Sequence, residues 1–180
     1  MAEKITPEVL KTERLTLRPL QDSDAGPIKL YVGDKRVALN LAVVPHPYPD
    51  GAAEAYIKGS QDPDNSEIIW AIVLDTELIG VISITPTENG RGNIGYWLAP
   101  QFWGAGFTPE ALEAVIAFAR RHGFTGLDAG VHQGNTNSAR VLIKQGFEYC
   151  GDSETHSIPR GGMVQSWNYR LDLKLSLIHI

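Results

Sequence analysis

Apolar positions along the chain fall into segments of two different periods. Across residues 12–20, Leu15 and Leu17 alternate with Thr16 and Arg18 and Pro19 closes the run, which predicts a strand. Asp22-Ser23-Asp24 offers an N-cap for a helix running towards Tyr31. Pro45, Pro47 and Pro49 keep residues 43–51 in an extended loop. A second helix is expected over about 52–60, and 61–65 is a loop by composition. Three strand signals follow. Residues 68–74 are apolar and rich in β-branched side chains, Asp75-Thr76 turns the chain into 78–85, and Asn89-Gly90 turns it again into 93–98. Together they predict an antiparallel meander.

After Leu98 the period changes. Leu112, Val115, Ile116 and Ala119 have helical spacing within 108–122; Thr108 is the expected cap, Pro109 suits the first turn, and Gly123 stops the helix. Residues 127–131 read as a short strand. A helix over 135–145 follows, with Ala139, Leu142 and Ile143 on its buried side and Gly146 at its end. Short strands over 147–150 and 166–173 complete the pattern. No repeat, low-complexity tract or linker interrupts it, so residues 1–175 are expected to form one domain. The apolar tail 176–180 reads either as the extension of a last strand or as appended, non-native sequence.

Composition narrows the class. A hydrophobic fraction of 43% in 180 residues supports a sizeable core. Net charge is −5, and there is no basic helix, which argues against nucleic acid as a partner. Cys150 is the one cysteine, so no internal disulfide can form and no Cys/His cluster has zinc spacing. The first residues lack a signal-peptide core, and no apolar run reaches the roughly 18 residues of a membrane helix. A soluble cytoplasmic protein without metal is expected.

Two constellations carry chemistry. In Pro100-Gln101-Phe102-Trp103-Gly104-Ala105-Gly106-Phe107-Thr108, two glycines let the backbone turn and expose its N–H groups just where a helix points its positive end. Such a turn suits a phosphate or diphosphate. It is no P-loop, because no Gly-Lys-Ser/Thr follows, and no Rossmann fingerprint, because the third glycine would fall at Pro109. The second constellation is Asn135-Thr136-Asn137-Ser138-Ala139-Arg140-Val141-Leu142-Ile143-Lys144-Gln145-Gly146-Phe147, by itself an Asn-capped amphipathic helix ending at glycine.

Together these residues resemble the GNAT superfamily of acetyl-CoA-dependent N-acetyltransferases. The closer likeness is to the RimJ/RimL branch, which acetylates N-termini of ribosomal proteins. The family's Gln/Arg-x-x-Gly-x-Gly/Ala stands as Gln101-x-x-Gly104-x-Gly106. The branch's entry strand stands as Gly95-Tyr96-Trp97-Leu98-Ala99-Pro100, its next run as Trp103 through Ala111, its helix as Asn135 through Phe147, and its first strand as Thr12-Glu13-Arg14-Leu15-x-Leu17-Arg18. The resemblance implies an α+β fold: a mixed, mostly antiparallel sheet of about seven strands, splayed between the fourth and fifth, with helices on both faces. It places the coenzyme's pantetheine arm in the splay beside Trp97 and Leu98. It places the diphosphate on the turn formed by Gln101, Trp103, Gly104, Ala105, Gly106, Phe107 and Thr108, and brings Asn135 and Ser138 against the arm.

In the family a neutral amine attacks the thioester directly. Many relatives protonate the leaving thiolate with a Tyr seven residues after the Asn; that position is Leu142 here. The branch's Ser three residues after the Asn is Ser138, the expected group at the leaving sulfur. Relatives often carry a basic Glu before the Gly-Tyr-Trp segment, where this chain has Gly92-Asn93-Ile94. That leaves Glu88 and His132 as bases, with Asp75 and Glu77 behind them, or a water chain. An α-amine has a pKa near 7.7–8.0 and Lys near 10.4, so deprotonating Lys at neutral pH costs about 3–4 kcal/mol more. A site without a strong base should prefer an α-amine acceptor, at a peptide or protein N-terminus. Two alternatives share the motifs: an acetyltransferase for small-molecule amines, and an acyl-CoA-binding module without turnover. Residues 43–51 and 153–164, with His46, Tyr48, His156 and Arg160, are the expected acceptor loops. The motifs leave a homodimer open.

Overall fold

The computed structural model describes residues 4–173, so the tail 176–180 lies outside the described residues. Eight strands form one sheet: β1 (Leu10–Lys11), β2 (Leu15–Arg18), β3 (Ile68–Leu74), β4 (Glu77–Pro86), β5 (Arg91–Leu98), β6 (Gly126–His132), β7 (Glu148–Ser157) and β8 (Gly162–Asp172). Their order is β1-β2-β3-β4-β5-β6-β8-β7, antiparallel everywhere except between β5 and β6. The eighth strand is the two-residue β1, so the expected fourth and fifth strands are β5 and β6. The helices are α1 (Ala25–Val32), α2 (Lys35–Ala38), α3 (Ala52–Ser60), α4 (Phe107–Arg121) and α5 (Thr136–Lys144).

β3 explains the layering. Its seven residues are apolar without alternation because both of its faces are covered. Ile68, Trp70 and Ile72 pack with Phe107, Leu112, Val115 and Phe118 of α4 and with Leu142 of α5. Ile69, Ala71 and Val73 pack with Ile28 and Val32 of α1 and Ile57 of α3. The period of two thus sends alternate side chains into two separate cores.

Several sequence expectations need correcting. Asp24 does not cap α1 with its side chain; its carboxylate takes both terminal nitrogens of Arg18, at 2.9 and 2.8 Å. Helix α4 starts one residue early, at Phe107, behind Gly106 at φ 83°, so Thr108 lies inside the helix and is not its cap. Ile143 is 55% exposed, and α5 buries only Ala139 and Leu142. Residues 153–164 are not a loop. They belong to the long β7–β8 hairpin, whose ladder runs from Glu148↔Arg170 to Ser157↔Gly162.

One departure from regularity positions the site. β5 and β6 pair only from Arg91↔Gly126 to Asn93↔Asp128 and then diverge, while each stays zipped to its outer neighbour. Arg91 closes the narrow end. Its guanidinium meets Asp128 at 2.9 Å and Asp172 at 2.8 Å. A Cβ on Gly126 would fall 2.0 Å from an Arg91 nitrogen, so a larger residue there would push the guanidinium off its carboxylates.

Candidate active site

The divergence of β5 and β6 opens a cleft of about 720 Å³. Its walls are β5 from Ile94 to Leu98, β6 from Ala129 to His132, the start of α4, and one face of α5. The strand edges supply unpaired backbone groups. The Ala99 N–H donates to Ile79 of β4, and the Trp97 carbonyl lies on the same side, where a Cβ on Gly80 would meet it at 2.3 Å. Peptide groups alternate along a strand, so those of Tyr96 and Leu98, not Trp97, face the cleft. The Leu98 carbonyl already accepts the Trp103 indole N–H at 2.7 Å. The Trp97 ring turns to the opposite core, edge-on to Tyr31.

The glycine turn is held from a distance. Gly104 and Gly106 have φ of 80° and 83°, a region that only glycine enters freely. Arg14, from the turn between β1 and β2, donates to the Ala105 carbonyl at 2.9 Å and lies 4.3 Å over the Phe107 ring. Its Nε pairs with Glu110 at 2.7 Å, and its backbone N–H donates to the other Glu110 oxygen. Burial alone would raise the Glu110 carboxyl. The hydrogen bonds from Thr12 and Arg14 outweigh it and hold the pKa below its ordinary value, so the clamp stays ionised. Trp103, Gly104, Gly106, Phe107 and Thr108 line the cleft. Gln101 and Ala105 do not: Gln101 donates to the Tyr31 hydroxyl, and the Ala105 carbonyl is taken by Arg14. Sequence reasoning matched Arg14 to a motif without giving it a task. The clamp joins residues 91 positions apart, beyond the reach of any local pattern.

At the other wall, Asn135 caps α5 by accepting the Ser138 N–H. Ser138 sits in the first turn, and its Oγ lies 2.7 Å from the Tyr96 hydroxyl, which reaches across from β5. Burial pushes the Tyr96 phenol up to about 12, although its bond to Ser138 works against that rise. Leu142 is fully buried in the core, and the side-chain hydroxyl that meets Ser138 comes instead from Tyr96 on the facing strand. The motif that flagged Tyr96 gave no sign that its ring crosses the splay.

His132 ends β6 and lines the same cleft, whereas Glu88 does not. Glu88 belongs to the turn between β4 and β5, which is tied to Thr125 at the closed end of the splay. Asp75 and Glu77 border the β3–β4 turn, outside the cleft as well. The His132 Nδ1 lies 3.3 Å from the Leu39 carbonyl. That contact selects the tautomer with hydrogen on Nδ1 and a lone pair on Nε2. Burial lowers the pKa of His132 below 6.5. The Leu39 contact opposes the shift and the charge of Arg160 adds to it, so the ring is neutral at pH 7. Arg160 also donates to the Leu39 carbonyl, at 2.8 Å, and the Ile158 N–H donates to Ala42, so the β7–β8 tip docks onto the segment after α2. Thr155 and Ser166 of the hairpin and Arg36, Asn40, Leu41 and Ala42 border this end of the cleft; His46, Tyr48 and His156 are not among its walls.

A strand pair splayed beside a glycine turn and an Asn-capped helix matches a known family. The GNAT acetyltransferase domain model matches residues 14–148. The chain belongs to the GNAT acetyltransferase family. This GNAT enzyme is 30% identical over 174 residues to p20 of Bacillus licheniformis, described as an uncharacterized N-acetyltransferase, covering 91% of this chain and 96% of that protein. Among solved structures it is similar to Mycobacterium smegmatis RimJ in complex with a CoA disulfide. There the TM-score is 0.81 at 18% identity, over 92% of this chain and 88% of that one. It is also similar to RimL, a ribosomal L7/L12 alpha-N-protein acetyltransferase in complex with coenzyme A. The TM-score there is 0.80 at 20% identity, over 93% and 99% of the two chains. At those identities the likeness is one of fold, and it agrees with the branch to which the motifs pointed. As a GNAT N-acetyltransferase the protein is an acyltransferase. Among the described residues no helix is long and apolar enough to cross a membrane.

Proposed function

We propose that this acyltransferase uses acetyl-CoA and delivers the acetyl group to a primary amine of low pKa, foremost the α-amine at a peptide or protein N-terminus. The observation that carries the reading is the character of the cleft wall. It has a neutral His132 and, among the described residues, no Asp or Glu. A site for lysine or polyamine side chains would have to hold a strongly favoured ammonium and strip a proton from it, and no carboxylate stands there to do either. An α-amine is already partly neutral at pH 7. The fold is also shared with RimL, an alpha-N-protein acetyltransferase, which is in keeping with this reading.

In this reading the amides of the Gly104–Gly106 turn and the positive end of α4 bind the coenzyme's diphosphate, with Arg14 fixing the turn. The cleft-facing peptide groups of Tyr96 and Leu98 pair with the pantetheine arm. When bound, the coenzyme supplies the thioester. His132 takes the amine proton at Nε2 as the amine attacks. The leaving thiol has a pKa of about 8.5, below that of either hydroxyl nearby. Ser138 and Tyr96 therefore steady the thiolate by hydrogen bonding rather than by full proton transfer.

That argument sets the size of one effect. Ser138→Ala should lower kcat by about 10²-fold or less, the bottom of the usual acid–base range, with acetyl-CoA affinity kept. Complete loss of turnover at unchanged affinity would contradict it. The acceptor is tested by thiol release with two peptide sets. One has free N-termini and no lysine; the other has blocked N-termini and an internal lysine. Release is expected with the first set, and release confined to the second would overturn the α-amine assignment.

A further inference from the structure

Resting on the α-amine reading above, we infer that Arg160, at the tip of the β7–β8 hairpin, selects acidic acceptors: its guanidinium binds a carboxylate side chain on the first or second residue of the peptide to be acetylated. The tip is a fixed turn. The Arg160 N–H donates to Oγ of the fully buried Ser157 at 3.3 Å, the Gly161 N–H donates to the Ile158 carbonyl at 3.1 Å, and the ring of Pro159 sets its own φ. The Ile158 N–H reaches Ala42 at 2.8 Å, and Nε of Arg160 reaches the Leu39 carbonyl at 2.8 Å. The guanidinium is thus held in place before an acceptor arrives, which lowers the entropy lost on binding. Leu39 takes one of its five N–H donors and leaves four. Among the described residues Arg160 has no carboxylate partner, whereas Arg14, Arg18, Arg36 and Arg91 each have one. Asp34 before α2 is engaged by Arg36, Asp152 of β7 by Tyr149, and Glu154 of β7 by Gln165.

The place of this cation decides what it can read. The Leu39 carbonyl that accepts from Arg160 also lies 3.3 Å from Nδ1 of His132, so the guanidinium and the base meet at one oxygen. An amine at the free Nε2 of His132 lies one ring width and one hydrogen bond further on. An extended peptide adds about 3.3–3.6 Å per residue, so the side chains of the acceptor's first two residues come within reach of the guanidinium and distant ones do not. A charge here disfavours an ammonium arriving beside His132, just as it disfavours protonation of the ring. A carboxylate on the acceptor offsets that repulsion, and its two oxygens match the planar fork of a guanidinium. The cleft wall has no Asp or Glu to compete for it among the described residues. Arg36, the other cation at this end of the cleft, is already neutralised by Asp34, with contacts of 3.1 and 2.7 Å.

Thiol release with lysine-free peptides tests the assignment. The peptides have free N-termini and come in pairs that differ only by Asp or Asn, at the first position or at the second. The wild type should favour the Asp member in kcat/KM by about fivefold in at least one pair, the upper end for a solvent-exposed ion pair. The preference should sit in KM, because the ion pair is made before attack and during it alike, and it should shrink as salt is raised. Arg160→Gln should bring the ratio to one, Arg160→Lys should keep part of it, and Arg160→Glu should invert it. Each ratio is taken within one variant, so a general loss of activity from a shifted hairpin cancels. Equal wild-type values for Asp and Asn in both pairs, or a preference that survives in Arg160→Gln, would overturn the role of Arg160 and leave the α-amine acceptor standing. Absence of thiol release from every one of these peptides would remove the α-amine reading and the selection by Arg160 with it.

Discussion

Replacing His132 by Asn is expected to lower kcat about 10²–10³-fold at pH 7, within the range for loss of a positioned general base, and to erase the acid limb of the pH profile. The Asn side chain can still donate to the Leu39 carbonyl that His132 approaches at 3.3 Å, so the packing between β6 and the α2 segment should persist. The lone pair at Nε2 is what disappears. The sign of the pH effect follows from burial, which holds the folded pKa below 6.5. As pH falls, the unfolded chain takes up this proton before the folded one does. His132 therefore weakens stability progressively below about pH 6.5 and has no such effect above it. Catalytic activity should likewise fall in a single titration centred below 6.5, when kcat is followed at saturating amine and acetyl-CoA. A variant that kept the acid limb, or lost less than about fivefold in kcat, would show that water or the substrate carries the proton without His132.

The parts of this site that could be read from the sequence are those whose causes are local. A glycine turn before an amphipathic helix and an Asn followed by a capped helix need only neighbouring residues to declare themselves, and both stand in the cleft wall. β3 matches its expected limits because a seven-residue apolar run between polar turns has few other uses. α2 went unread because Lys35–Ala38 is too short to show a period. β7 was read only at its start, over 147–150, and its extension to Ser157 was missed for a different reason. Glu148–Ser157 is an edge strand exposed along most of its length, so no apolar alternation marks it, and its register comes from β8. The Tyr96–Ser138 contact and the Arg14 clamp depend on residues 42 and 91 positions apart meeting in three dimensions. The same distance argument removes Glu88: it is close in sequence to β5 but emerges at the end where the strands are still paired.

Trp70→Ala should cost about 3–5 kcal/mol of folding stability, the range for truncating a large buried aromatic side chain, and should weaken coenzyme binding as a consequence. Trp70 is fully buried in the middle of β3, edge-on to Phe118 of α4 with ring centroids 4.8 Å apart, and its indole N–H donates to the Glu8 carbonyl at 2.9 Å. Truncation leaves a cavity between the sheet and α4 and takes the donor from that carbonyl. Domains are stable by only about 5–15 kcal/mol, so the loss is a large share of the total. Urea denaturation followed by far-ultraviolet circular dichroism should show a lower midpoint with an unchanged m-value. Trp70→Phe, which keeps a ring against Phe118, should recover part of the loss. The functional consequence follows from α4 itself, because the helix that rests on Trp70 begins at the glycine turn. Loosening its seat blurs the placement of the turn amides, so diphosphate affinity should fall together with stability. Trp103→Phe provides the contrast, because that ring is 46% exposed and its removal leaves the core intact. If Trp70→Ala cost less than about 1 kcal/mol, the small effect typical of surface sites, the seat of α4 would have to lie elsewhere on the sheet, and the route from core packing to coenzyme placement would be wrong.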